Sequence, residues 1–322
     1  MERLRGEGPT GARTAAWRDA DAIPPRDELG GRSRRRGIQW ASMPPYVAVH
    51  LACFGAFWSG VTLEAAVTGL VLYLVRVFAV TAGYHRYFSH RTYRMGRVMQ
   101  LLMAFVAETS SQRGVLWWAA HHRAHHLYSD TERDLHSPRQ RGFLYAHMLW
   151  IYDHNGATDW ARVRDLARFP ELRLLDRFWI VPPVALAVVV FLLFGWSGLF
   201  IGFCLSTVLV WHSTFTINSL SHVFGKRRYE TGDDSRNNWL LAILTMGEGW
   251  HNNHHYYPRS CRQGFFPWEH DVTYYVLRAM SWVGLVSHIA EPPRRVLEEG
   301  RRADRARRAS TAGAAKLSRE HA

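Results

Sequence analysis

The sequence is poor in cysteine and almost without lysine. Cys53, Cys204 and Cys261 are too few and too scattered for a disulfide framework or a thiolate metal site, so a reducing environment is the simpler expectation. Only Lys226 and Lys316 among the 40 basic residues are lysine, so arginine carries the net charge of +13. A basic excess is typical of proteins that bind nucleic acid, a membrane surface or an acidic ligand, and the position of the charge decides among them.

Charge is absent from three long stretches, residues 41–63, 65–75 and 179–225. A helix needs roughly 20 apolar residues to cross a bilayer, and the buried helices of soluble proteins are usually shorter. The segments "FWSGVTLE" and "FGWSG" divide the apolar runs. The sequence therefore predicts an all-α membrane protein with four transmembrane helices in two hairpins, at residues 44–58, 61–81, 178–194 and 199–217. Two buried hairpins in a soluble protein are the alternative.

Arginine sets the expected orientation. Residues 1–37 contain nine arginines, and the two "WSG" turns contain none. The positive-inside rule then places both termini and the middle region in the cytosol. We therefore expect an integral, multi-pass protein that contacts membrane lipids and no nucleic acid. Arg76 falls inside the second expected span, where a charge must snorkel, pair or line a cavity.

Both ends of the sequence lack the pattern of a folded core. Residues 1–37 mix arginine, glycine, proline and acidic residues without helical periodicity, and residues 296–322 are basic with few large apolar side chains. Such segments bury too little apolar surface to fold. The expected organisation is a disordered tail at 1–37, a membrane and cytosolic domain at 38–295, and a disordered basic tail at 296–322.

Ten of the 18 histidines fall in four short segments, "HRYFSH", "HHRAHH", "NSLSH" and "WHNNHH". The candidate metal ligands in them are His85, His90, His122, His125, His126, His222, His251, His254 and His255. Each segment lies close to the expected cytosolic end of a span or in the cytosolic region after it, so the segments can converge just beneath the membrane. Lone histidines such as His50, His147 and His212 are more often structural.

Spacing supports a metal site. In each HxxHH motif, residues i, i+3 and i+4 are expected to project from one face of a helix. Neutral imidazole is a common ligand of first-row metals, and so many imidazoles together need a cation to satisfy their nitrogens. The HxxxxH motif, taken alone, is as compatible with structural histidines as with metal ligands. Nine ligands exceed the four of a typical zinc site and suit two metal ions.

Together, the boxes HxxxxH, HxxHH and HxxHH on a four-span frame resemble the membrane fatty acyl desaturases, specifically the acyl-CoA (stearoyl-CoA, delta-9) group. The resemblance extends from Pro44 to His288 and rests on "TAGYHRYFSHRTY", "HRAHHLYSDTERDLHSPRQRGF", "NSLSHVFG" and "GEGWHNNHHYYP". It implies a helical cytosolic cap, O2 as co-substrate and two iron ions held by the nine histidines, with Asn218 near one iron. The four intervening residues of the first box and the leading histidine of the third favour this group over hydroxylases and front-end desaturases.

The resemblance also implies a bent tunnel for the acyl chain. Gln112, Trp118 and Thr214 match the positions at its bend, which favours a delta-9 double bond. Asp130, Asp134 and Glu248 are candidates to orient ligand imidazoles, although each is equally compatible with a solvated loop acid. The soluble carboxylate di-iron enzymes use paired ExxH motifs, and this sequence has a single one, from Glu248 to His251.

The partners expected from the resemblance are a long-chain fatty acyl substrate and a separate electron donor. No "HPGG" haem-binding segment is present, so electrons come from a protein such as a ferredoxin, a rubredoxin, cytochrome b5 or a flavin reductase. The basic positions that meet CoA in animal members read Ala120, His121, His154 and Asn155 here. The carrier is therefore acyl-CoA or an acyl-lipid, with Arg139, Arg141 and Arg162 as candidate replacements.

Two other functions share some of these features. A di-iron lipid or alkane hydroxylase would use the same frame and would differ in the fate of the substrate. A non-enzymatic metal-binding or transport protein would place ligands along a path through the membrane, whereas the histidines here cluster on the expected cytosolic side.

Overall fold

A computed structural model of the chain describes residues 43–153 and 156–320. The expected N-terminal tail, residues 1–37, lies outside the described residues, as do His154 and Asn155. The described part is predominantly helical, as expected for an all-α protein. Its helices are α1 (Met43–Ala52), α2 (Ala56–Ser59), α3 (Leu63–Phe78), α4 (Arg97–Glu108), α5 (Val115–Tyr128), α6 (Pro138–Arg141), α7 (Phe143–His147), α8 (Arg164–Ala167), α9 (Pro170–Arg177), α10 (Val181–Ser197), α11 (Ser206–Asn218), α12 (Trp239–Leu244), α13 (His251–Tyr256), α14 (Val272–Trp282) and α15 (Arg294–Glu320).

Other elements are short or irregular. Two π-helical stretches, Ala79–Ser89 and Gly198–Leu205, continue α3 and precede α11. Single 3₁₀ turns span Cys53–Gly55, Leu149–Tyr152, Trp160–Val163 and Leu220–His222. One antiparallel pair joins β1 (Arg94–Met95) to β2 (Val286–Ser287), with Arg94 opposite Ser287 and Met95 opposite Val286.

Two helices in the described residues are long and apolar enough to cross a membrane, Leu63–Ser89 and Val181–His222. The sequence predicts four spans instead. The second of these helices is interrupted at Gly195, where φ is 62° and ψ is −153°, a conformation open mainly to glycine. Gly60, with φ of 71°, separates α2 from α3 in the same way. Both interruptions fall in the segments "FWSGVTLE" and "FGWSG" that divide the apolar runs, and the helical run before Gly60 is too short to meet the same criterion.

Arg76 is fully buried between α3 and α11 rather than snorkelling to an interface. Its guanidinium donates to Thr207 Oγ1 at 2.6 Å and to the Ser206 hydroxyl, and its Nε donates to the Leu72 carbonyl at 3.1 Å. These bonds satisfy a charge that is otherwise costly among apolar helices. Arg76 therefore ties the second expected span to the fourth.

The main core forms where the π-helical end of α3 packs against α4 and α5. Ala82, Phe88, Ala104 and Leu116 are inaccessible to solvent in this core. Burial of such side chains stabilises the fold by roughly 25 cal/mol per Å² of apolar surface. The histidine boxes lie on the elements that this core fixes together.

A helix replaces the tail expected at the C-terminus. The prediction of disorder is wrong for Arg294–Glu320, which forms α15. Val296 is buried against Tyr229 and Phe266, and Asp304 accepts from Arg228 Nε at 3.0 Å. Alanine and arginine favour helix, and Tyr229 also donates to the Val296 carbonyl at 2.9 Å, which helps to dock the first turns.

Candidate metal centre and substrate cavity

The nine predicted ligands converge as two adjacent groups of imidazoles. The first group contains His85, His90, His122, His126 and His254, and the second contains His125, His222, His251 and His255. Within each group the candidate ligand atoms all lie within 4.8 Å of one another. The structure therefore brings together all nine histidines from four separate segments.

Each HxxHH helix contributes to both groups. On α5, His122 and His126 join the first group while His125 joins the second, and on α13, His254 joins the first while His251 and His255 join the second. The expectation that all three histidines project one way is therefore wrong in detail. Positions i+3 and i+4 differ by about 100° around a helix, so neighbouring histidines can face different centres.

A π-helix brings the two histidines of the first box together. Their five-residue spacing does not suit an α-helical face, but the backbone N–H of His90 donates to the His85 carbonyl at 3.2 Å across the wider π turn. The two rings lie 4.9 Å apart. π-helical turns are frequent at functional sites, and here the turn explains the spacing.

Short contacts join the ligand nitrogens of the first group. The Nε2–Nε2 distances are 2.8 Å between His90 and His122, 3.0 Å between His122 and His126, 2.9 Å between His126 and His254, and 2.9 Å between His254 and His85. In the second group, the Nε2 atoms of His222 and His251 are 3.1 Å apart.

Carboxylates hold the outer nitrogens of four of these imidazoles. His125 Nδ1 donates to Asp134 at 2.9 Å, His222 Nδ1 to Asp130 at 2.8 Å and His255 Nδ1 to Asp233 at 2.8 Å. His85 Nδ1 lies against Glu248, which also accepts from Arg86 at 3.0 Å. A proton held on Nδ1 leaves Nε2 free as a metal ligand, the usual arrangement at protein metal sites.

Burial and mutual repulsion favour the neutral form of three imidazoles in the first group. Burial lowers the pKa of His122, His126 and His254 well below the ordinary histidine value, and the neighbouring imidazoles lower it further. Although burial opposes ionisation of Asp130, hydrogen bonds from His222 and Ser137 hold the pKa of this carboxyl below its ordinary value. Neutral imidazoles beside ionised carboxylates are the protonation states that a metal cation requires.

The donor set fits two cations. His85, with its Nδ1 proton held by Glu248, presents an Nε2 lone pair to His254, whose Nε2 also faces His126. His255 Nε2 is buried with no hydrogen-bond partner among the described residues. Facing lone pairs and an orphaned nitrogen in a buried site are costly without a cation to receive them. All-imidazole donors suit a first-row metal such as iron.

Two cavities meet beside the imidazole groups. The larger, the outer cavity, has a volume of about 850 Å³, and the smaller, the inner cavity, about 50 Å³. Four residues line both of them: Trp118, His122, Thr214 and Asn218. Because His122 belongs to the first imidazole group, a chain that passes from one cavity to the other passes the candidate metal centre.

Gln112, Trp118 and Thr214 form a hydrogen-bonded belt at this junction. Gln112 donates to Thr214 Oγ1 at 3.1 Å and accepts from Trp118 Nε1 at 3.4 Å. The Trp118 indole stacks on His122 with ring centroids 4.9 Å apart. The three residues predicted to shape a tunnel are therefore joined to one another and to a metal-group histidine.

The other candidates from the sequence are the carboxylates expected to orient imidazoles and the positions considered for binding CoA. Asp130, Asp134 and Glu248 bond ligand imidazoles as expected. Arg139, Arg141 and Arg162 each pair with a carboxylate, that of Asp234, Asp153 and Asp159 respectively. Ala120 and His121 are buried.

Sequence reasoning missed Asp233 and His136. Asp233 orients His255, and its signal is only the acidic pair in "TGDDS". His136 lies beside His125 and Asp134 and lines the outer cavity.

Comparisons with known proteins agree with this site. A family model described as fatty acid desaturase matches residues 62–282. The sn-2 palmitoyl-lipid 9-desaturase of Nostoc sp. (strain 36) is 34% identical over 261 residues, covering 76% of this chain and 90% of the relative. The sn-1 stearoyl-lipid 9-desaturase of Anabaena variabilis is 33% identical, covering 80% and 96%. An acyl-CoA 5-desaturase of Anemone leveillei is 33% identical, covering 74% and 73%.

Proposed function

Because the chain belongs to the fatty acid desaturase family, we propose that it desaturates a long-chain fatty acyl group, with O2 as co-substrate, to a cis-monounsaturated product in unsaturated fatty acid biosynthesis. The observation that carries the proposal is the meeting of two imidazole groups with two cavities at His122. The site thus offers metal ligands and space for an apolar chain in contact with them.

The first group would hold one iron and the second group the other, with Asn218 near one of them. Two adjacent irons, when bound, supply the oxidising power that O2 needs to act on an unactivated methylene. The residues of the chain fix that centre: Asp134, Asp130 and Asp233 hold the Nδ1 protons of His125, His222 and His255. Trp118 packs over His122 and limits water beside the reacting carbons.

The belt of Gln112, Trp118 and Thr214 would set the position of the double bond. An acyl chain that crosses from the outer to the inner cavity must bend around this belt, so one segment of the chain is held beside His122. The relatives that act at position 9 support a delta-9 product. The acyl carrier in the relatives is a lipid in some and CoA in others.

The membrane arrangement belongs to the same proposal. Four crossings in two hairpins, with turns at Gly60 and Gly195, would place both termini and the imidazole groups on the cytosolic side. Residues outside the four spans would form a helical cap. A separate electron donor, such as a ferredoxin, a rubredoxin, cytochrome b5 or a flavin reductase, would then reach the centre from the cytosol.

Expression in a desaturase-deficient host tests the function directly. Gas chromatography with double-bond location should find a delta-9 monoene that depends on iron and O2. A hydroxy fatty acid would instead support a hydroxylase on the same frame and overturn the desaturase proposal. Metal uptake without any modified fatty acid would support a metal-binding or transport protein.

A further inference from the structure

The outer cavity is open along helices that carry apolar surface. Its walls include Tyr46 and Val49 of α1 and Val184 and Ala187 of α10. Val184 is 53% exposed and the neighbouring Ile180 is 51% exposed, although both line the cavity. If these helices cross the bilayer, the opening beside them faces lipid, so a substrate already in the membrane can enter sideways.

Within the part of the chain that the structure describes, Arg113 lines this cavity and has no carboxylate partner. The Arg113 guanidinium lies 5.6 Å from the ring centroid of Trp117 and 5.4 Å from that of Trp179. No ion pair joins Arg113 to any acid among residues 43–153 and 156–310. Asp176, on the adjoining helix α9, accepts instead from the backbone N–H groups of Leu116 and Trp117. Burial lowers the pKa of Arg113, so its charge lacks solvation that an anion would replace.

The loop that carries Arg113 is held in an unusual conformation. Arg113 has φ of 72° and Ser111 has φ of 59°, values that side-chain-bearing residues seldom adopt. The Arg113 carbonyl accepts from the buried Tyr84 hydroxyl at 2.6 Å, which fixes this conformation. Backbone strain of this kind clusters at ligand sites, and here it positions a cation beside Gln112 of the belt.

On the premise of the desaturase function, we propose that Arg113 binds the phosphate of a membrane glycerophospholipid whose acyl chain enters the outer cavity from the bilayer. Guanidinium matches phosphate geometry, and the flanking indoles Trp117 and Trp179 suit the level of lipid headgroups. In a glycerophospholipid, only glycerol atoms separate the acyl ester from the phosphate. Arg113 lines the outer cavity, which the ester end of the bound acyl chain would occupy, so its guanidinium can meet the phosphate of the same lipid.

Acyl-CoA fits this surface less well. CoA carries several phosphates at the far end of its pantetheine arm and needs a cluster of cations. Arg139, Arg141 and Arg162, the candidate cations for CoA, already pair with carboxylates. A galactolipid has a neutral headgroup and gives Arg113 no charge to bind.

The test compares carriers of one saturated acyl chain: phosphatidylglycerol, monogalactosyldiacylglycerol and acyl-CoA. The holoenzyme in nanodiscs, with a reducing system that supports wild-type turnover, should desaturate the phosphatidylglycerol chain. Arg113→Gln should raise KM for this lipid roughly tenfold or more with little change in kcat, and Arg113→Lys should restore most of the affinity. Native mass spectrometry should show less retained phosphatidylglycerol on Arg113→Gln, a readout that needs no turnover.

Arg168→Gln is the matched control, because Arg168 also stacks on an aromatic ring, Phe169, but does not line the cavity. It should leave KM and lipid retention unchanged. Wild-type activity on acyl-CoA alone would overturn the proposal while leaving the desaturase function intact. So would an equal rise in KM of Arg113→Gln for the galactolipid and for phosphatidylglycerol. No unsaturated product from any carrier would refute the desaturase function itself.

Discussion

His85 and His254 stand 169 positions apart in the sequence, yet their Nε2 atoms lie 2.9 Å apart. His85 comes from the π-helical end of α3, and His254 comes from the short helix α13. Two buried imidazole nitrogens at this distance can share a cation, or one can donate its N–H to the other. The same contact repeats around the group, and it ties the fold of distant segments to metal binding.

Asp233 provides a test of how the second imidazole group is held. Asp233→Asn should weaken iron binding there roughly tenfold or more, because the amide no longer fixes the His255 Nδ1 proton as a carboxylate does. Iron content after dialysis against a chelator measures this loss. Asp234→Asn changes the next residue, which pairs with Arg139 instead, and should retain its iron. Equal iron loss in both variants would show that Asp233 has no special role.

Gln112 provides a test of the belt. Gln112→Ala removes the hydrogen bonds to Thr214 and Trp118. We therefore expect the bound acyl chain to lie at more than one position along the cavities, and the selectivity for one double-bond position to fall roughly fivefold. Mass spectrometry that locates the double bond in the product measures this selectivity. Thr216→Val is the control on the same helix, because the Thr216 hydroxyl bonds the Ser213 carbonyl and lines neither cavity. A single unchanged isomer from Gln112→Ala would contradict the role of the belt.

Glu108 makes stability depend on pH. This carboxyl is fully buried and accepts from the Val115 N–H at 3.0 Å, and burial raises its pKa to about 8. A carboxyl group with a higher pKa in the folded protein binds its proton more tightly there than in the unfolded chain. Its contribution to the free energy of unfolding is therefore most favourable below the unfolded pKa and is lost as pH rises through the folded pKa.

Glu108→Gln should therefore gain stability over wild type, and the gain should grow by about 3 kcal/mol from pH 6 to pH 9. Thermal unfolding in detergent at several pH values measures this trend. Glu132→Gln removes an exposed carboxylate and should follow the wild type. A constant difference between Glu108→Gln and wild type across this range would contradict the buried, protonated state.

Much of the site could be predicted because its chemistry is local in sequence. The spacings of His122, His125 and His126 and of His251, His254 and His255 each fall within one helix turn, and the apolar runs are continuous. The split of each triplet between two groups was not predictable, since it depends on where the partner helices lie. The π turn between His85 and His90 likewise follows from tertiary packing rather than from residue type.

Other features required the folded structure. Asp233 reaches His255 only because the loop after the Leu220–His222 turn folds back, and one acidic pair in a loop does not reveal that contact. Arg113 is one of many arginines in the sequence, and its place between the Trp117 and Trp179 rings, with no carboxylate partner in the described part of the chain, is visible only in three dimensions. The helix α15 was mistaken for a tail because composition does not show the packing of Val296.

The most direct measurement is the iron content of protein purified from iron-replete cells, together with that of His254→Ala and His288→Ala. We expect two irons per chain in the wild type and in His288→Ala, whose histidine is exposed and belongs to neither group. His254→Ala should lose iron from the first group and all desaturated product. Wild-type protein without iron, or His254→Ala with full iron and activity, would contradict the account.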